Sequence, residues 1–142
     1  MAVALKLRQQ RSRERRRRIL DAATQVFGER GLAVASLTDV ARAAAMPLPS
    51  LYDYFADKEQ LVASIPRRNF EELYDLLDRG RGGGTCSARL RRLYEATFGY
   101  IAGNPGWGRV FFLEIWPSVL AGHPMIRESI DDYARRYLDL LK

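Results

Sequence analysis

The chain has 142 residues, a mass of 16.2 kDa and a hydrophobic share of 47%, which suits one compact core and excludes both wholesale disorder and two independently stabilised domains. Its formal charge of +6 (pI ≈ 9.8) is lopsided: residues 1 to 18 hold Lys6, Arg8, Arg11, Arg13, Arg15, Arg16, Arg17 and Arg18 against Glu14 alone, so they carry +7 and the other 124 residues together −1. One cysteine, Cys86, excludes an internal disulfide, one histidine, His123, cannot build an imidazole metal site, and no stretch reaches the roughly 18 apolar residues of a membrane span.

A basic arm on a near-neutral body suits a polyanion that meets one end of the molecule, although the same run also serves as a localisation signal or a solubilising tail. Residues 1–5 offer no apolar leader core ahead of the arginines. These features lead to the expectation of a soluble, cytoplasmic chain with no cofactor, no metal and no membrane partner.

In chain order, Ile19, Ala22, Ala23, Val26 and Phe27 recur at helical spacing and predict a first helix from about Arg13 to Arg30, closed by Gly31 as a left-handed C-terminal residue. Ser36 followed three residues later by Asp39 predicts a capping box, with Leu37, Val40, Ala41 and Ala44 as the buried face of a short second helix. Pro47 and Pro49 mark the start of a third short helix carrying Ser50, Leu51, Tyr52, Tyr54 and Phe55. Asp57 is a candidate N-cap for a fourth helix with Leu61, Val62, Ile65, Phe70, Leu73, Leu76 and Leu77 on its apolar side, and Pro66 is expected to kink or split it.

The run Gly80-Arg81-Gly82-Gly83-Gly84 reads as a flexible connection. Beyond it, helical patterns are predicted over residues 86–102, 107–120 and from 124 onward, the last with Ile130, Tyr133, Ala134, Tyr137, Leu138 and Leu141 and no stop signal. Period-two alternation is lacking, so the fold class is all-α.

Two short helices joined by a tight turn can place the second in a DNA major groove. The segment RRRRILDAATQVFGERGLAVASLTDVARAAAMPLPSLYDYFADKEQLV, with Ile19, Ala23, Phe27, Gly31, Ser36, Val40, Ala41, Ala44, Ser50-Leu51-Tyr52, Tyr54-Phe55, Lys58-Glu59 and Leu61 in order, resembles the DNA-binding head of the TetR family of bacterial regulators. The resemblance implies a basic arm over residues 1–14, a helix-turn-helix domain over 15–62, and a helical ligand-sensing and dimerisation region over 63–142 that is shorter than in relatives.

By that resemblance Tyr52, Tyr54 and Lys58 hold phosphates and Ser36 caps the second helix near the backbone. Thr38, Arg42, Leu48, Pro49 and Ser50 match positions that approach base edges, and Arg15, Arg16 and Arg17 add basic contacts. Ala45 stands where the turn usually has glycine, so it must avoid a positive φ or accept strain; Pro47 replaces a serine cap. The resemblance further implies a homodimer on an operator in double-stranded DNA and a small-molecule effector bound among the later helices, near Phe98, Trp107, Phe111 and Trp116. Aromatics at that spacing read first as core. The resulting function is a repressor released by its effector, with a truncated helical protein that pairs with a full-length regulator as the alternative. Enzymatic chemistry is not expected: Glu114 sits among bulky apolar residues but has no histidine or second carboxylate at a useful spacing.

Overall fold

The structure, a computed structural model, describes residues 1–79, 82–139 and 142, and every regular element among them is helical. Helix α1 spans Ala2–Arg30 and ends at Gly31, whose N–H closes the last helical bond on Phe27 O and whose φ of 81° turns the chain out of the helix. Its second half buries Ile19, Leu20, Ala23 and Phe27, while its first half is exposed. The helix therefore starts well before the predicted Arg13. The arm has no Gly or Pro, and Ala, Leu, Arg, Gln and Lys propagate a helix that the packed half has nucleated.

Helices α2 (Leu37–Ala43) and α3 (Leu48–Tyr52) follow, then α4 (Lys58–Arg79). Asp57 acts as the expected cap of α4, its carboxylate accepting from Gln60 N at 2.7 Å. Pro66 lies inside α4 without splitting it. Its missing N–H costs one bond, but Leu61 and Ile65 before it and Phe70 and Leu73 after it are all buried, so packing keeps the helix continuous.

Past the glycine run, of which Gly80 and Arg81 lie outside the described residues, α5 covers Cys86–Gly103 with Thr85 as its cap. The predicted 107–120 helix is α6 (Pro105–Val110), a π-helical segment (Phe111–Ile115) and α7 (Trp116–Leu120) in unbroken succession. Helix α8 spans Pro124–Asp139; Leu141 of its predicted stripe lies outside the described residues.

One core cluster joins both ends of the chain: Ile19, Phe27, Val40, Leu51, Phe55, Leu61 and Ile65 share it with Val110, Ile115 and Ile126. Phe70 holds the later helices to α4, with ring centroids 4.1 Å from Tyr133 in a stack and 5.6 Å from Trp107 edge-on. A satellite cluster of Leu73, Leu77 and Leu93 fastens α5. No described helix is long and apolar enough to cross a membrane.

Candidate nucleic-acid interface

The α2–α3 unit is positioned from within. Ser36 accepts from Asp39 N at 3.2 Å while Asp39 Oδ2 takes Ser36 N at 2.9 Å, completing the capping box. Arg30 at the end of α1 pairs with the same carboxylate at 2.6 Å. The backbone and hydroxyl of Ser36, aided by Arg30, hold Asp39 ionised, lowering its pKa to about 2. Val40, Ala41 and Ala44 of α2 and Leu51 of α3 are buried, so Thr38 and Arg42, four residues apart, face solvent together.

The turn between the helices is strained. Ala45 takes φ 52°, the left-handed region that the sequence reading required it either to avoid or to pay for in strain. In return the chain reverses within three residues, Met46 N bonding Ala41 O at 3.0 Å, and α3 starts at Leu48 behind Pro47, between the two prolines that mark it in the sequence.

Of the predicted contact residues, Ser36, Thr38, Arg42, Pro49 and Tyr52 are exposed, Tyr52 by half, while Leu48, Ser50 and Tyr54 are half-buried. Arg42 has its guanidinium 3.8 Å from Asp39, a long contact on a mostly exposed side chain that leaves the fork presentable. The three arm arginines separate. Arg15 lines a groove with Tyr54, Arg16 stacks 5.0 Å over the Phe55 ring, and Arg17 reaches Asp21 at 3.9 Å.

Lys58 has partners within the protein that the sequence did not signal. Its Nζ donates to Leu32 O and, at 2.6 Å, to Ala35 O, and it lies 5.8 Å over the Phe27 ring. Two of its three N–H groups thus tie the α1–α2 connection to α4. Glu114, noted in the sequence only for its apolar surroundings, completes the clamp from the π-helical segment: its Oε2 accepts Leu32 N at 2.8 Å. Leu32 is therefore held at both its N–H and its C=O by residues 82 and 26 positions away. Local sequence carries no signal for such pairs.

Of the four aromatics suggested for an effector, Phe111 lies beside both Trp107 and Trp116, its ring centroid 6.1 Å from that of Trp116, while Phe98 stacks on Tyr94. Trp107 is buried and Phe111 half-buried in the core beside Phe70, their rings 5.0 Å apart, whereas Phe98 and Trp116 are exposed, at 62% and 42%.

The fold is thus that of a helix-turn-helix head whose core is continuous with a helical body. Residues 19–65 match the family model for bacterial regulatory proteins of the tetR family. The HTH-type transcriptional activator FasR of Mycolicibacterium smegmatis is 31% identical over 100 residues, 70% of this chain and 46% of FasR. The HTH-type transcriptional repressor KstR of the same organism is 38% identical over 79 residues, 55% of this chain and 39% of KstR. Among solved structures, the transcriptional regulator FadR from Bacillus subtilis in complex with stearoyl-CoA superposes with a TM-score of 0.76 at 22% identity, covering 87% of this chain and 64% of FadR. Residues 19–65 thus form a TetR-family DNA-binding head, and the chain spans less than two thirds of each of these relatives.

Proposed function

We propose that this chain is a sequence-reading transcriptional regulator and not an enzyme: two copies set their α3 helices in successive major grooves about 34 Å apart, repress transcription there, and leave when a small molecule binds the helical body. The observation that carries this reading is the solvent-facing surface of Thr38, Arg42, Pro49 and Tyr52 on two short helices whose opposite faces are locked into the core by Val40 and Leu51.

The division of labour follows from side-chain chemistry. Arg42 offers the fork that fits guanine O6 and N7. Thr38 and Ser50 supply short hydroxyls, and Leu48 and Pro49 offer apolar contact to a thymine methyl. Tyr52 and Tyr54 donate to phosphates and fix the register. Lys58 acts first on the head's own backbone and only with its remaining N–H on DNA. Repression is favoured by the likeness to KstR, and the likeness to FasR makes the sign of the effect the first thing to check in a transcription assay. The stearoyl-CoA in FadR makes a long-chain acyl thioester the first effector to try.

Fluorescence anisotropy against duplexes selected from a random pool tests the reading. Tyr52→Ala is expected to weaken a selected palindromic site on the order of tenfold, about 1.4 kcal/mol, with its melting temperature unchanged; Lys58→Ala should lose both affinity and stability. Binding that ignores sequence, Arg42→Ala and Tyr52→Ala alike would sink the proposal and favour a helical partner for another regulator.

A further inference from the structure

The densest charge on the molecule lies outside the helix-turn-helix, and the structure sorts it by face. Arg8, Arg11 and Arg15 stand three and four residues apart on α1, which brings them to one side of the helix. All three are exposed, and together with Ser12, Asp53 and Tyr54 they line a groove of about 610 Å³. Asp53 and Tyr54 are the two residues that directly follow α3, so this groove continues the DNA-facing surface. Its lining carries three guanidinium groups against the one carboxylate of Asp53. Arg16 and Arg17 face elsewhere, to Phe55 and Asp21.

We propose that the Arg8–Arg11–Arg15 face is a second phosphate-binding site, gripping the backbone of duplex DNA on the flank of the half-site read by α2 and α3. The inference rests on the DNA-binding reading above and adds a partner surface to it. Arginine forks match the oxygens of a phosphodiester in pairs, which a groove of exposed arginines beside a phenol can exploit without excluding water. From Arg8 to Arg15 the helix rises about 10 Å at about 1.5 Å per residue. That is comparable to three phosphates on one strand at about 3.4 Å of duplex axis each. Because α1 is already helical down to Ala2, the three cations are spaced before DNA arrives, and little ordering is left to be done on binding.

The test uses the full chain, a selected site with and without several flanking base pairs, and the double variant Arg8→Ala/Arg11→Ala, which keeps good helix formers on α1. Affinity is measured across salt, with circular dichroism as the check on helix content. For the flanked duplex, the slope of log K against log salt should fall by about two for each head bound, at about 0.9 for every phosphate no longer neutralised. The affinity gap between the two chains should then narrow about tenfold for each head bound between about 50 and 200 mM salt. On the trimmed duplex the two chains should converge, and discrimination against a mismatched half-site should be the same in both. Arg8→Lys/Arg11→Lys should recover the slope. An unchanged slope on the flanked duplex, with specific binding intact, would overturn the inference and leave the α2–α3 reading standing. If neither chain prefers any site, it is the α2–α3 reading that fails, while the slope difference still decides the arm.

Discussion

Ala45 holds a left-handed backbone, φ 52°, at the corner of the helix-turn-helix. An L-residue there costs about 1–2 kcal/mol, and glycine's greater freedom in the unfolded chain returns about 0.5–1 of it. Ala45→Gly should therefore raise stability by about 0.5–1 kcal/mol in urea titration; a loss of stability would mean that the alanine methyl packs better than its exposed position suggests. Asp39 makes the opposite kind of statement. Its folded pKa of about 2 lies below the ordinary 3.8, chiefly because Ser36 N–H bonds the charged form. A depressed carboxylate contributes stability above its unfolded pKa and loses it as pH falls through the folded value. The stability gap between the native chain and Asp39→Asn should therefore be constant above about pH 5 and close between about pH 4 and 2. A gap that persists at pH 2 would show that shape, not charge, sets the cap.

At the scale of elements, the head was legible where the signals are local. The Ser36–Asp39 spacing, Gly31, Pro49 and the helical stripes of α1 and α4 each declare a start, a stop or a buried face within a few residues. Three features were not legible for the same physical reason, that tertiary packing decides them: α1 extends through the arm, α4 continues across Pro66, and the 105–120 run widens into a π-helical segment. The last of these matters because it carries Glu114 to the α1–α2 connection. Helix widening of this kind often marks a functional position, and here its carboxylate meets Leu32 N across 82 residues of sequence. A partly exposed bond of this type to a charged acceptor contributes about 1–2 kcal/mol. Glu114→Ala should lower stability by that much and accelerate hydrogen exchange at the Leu32 amide specifically. Unchanged exchange at Leu32 would mean that another group, or water, serves it as well. For the candidate site, sequence brought out Lys58, Arg16 and Arg17 as DNA-facing, and the structure gives them further contacts that no local pattern signals, to Leu32 and Ala35, to Phe55 and to Asp21. Arg8 and Arg11 entered only as members of the basic arm, although their spacing to Arg15 was the clue to a shared face.

For the whole molecule, the question is whether an event in the body can be felt by the head. Two observations say that they are mechanically one unit. The main core runs without a gap from Val40 and Leu51 to Ile115 and Ile126, and the Leu32 connection is clamped by Lys58 from α4 and Glu114 from the π-helical segment. A shared core implies a single cooperative unfolding transition, and it implies that a cavity made on one side weakens the other. Ile115 is fully buried in the π-helical segment, far in sequence from α2 and α3. Ile115→Ala should cost about 2–5 kcal/mol. The decisive readout is where that loss is felt. Tryptophan fluorescence reports the body through Trp107 and Trp116, and amide exchange in α2 and α3 reports the head. Both should shift to the same lower stability. If α2 and α3 kept native protection while the tryptophans melted early, the head would be an independent foldon, and the proposed control of DNA binding from the body would have to pass through the geometry of the proposed dimer instead of through this core.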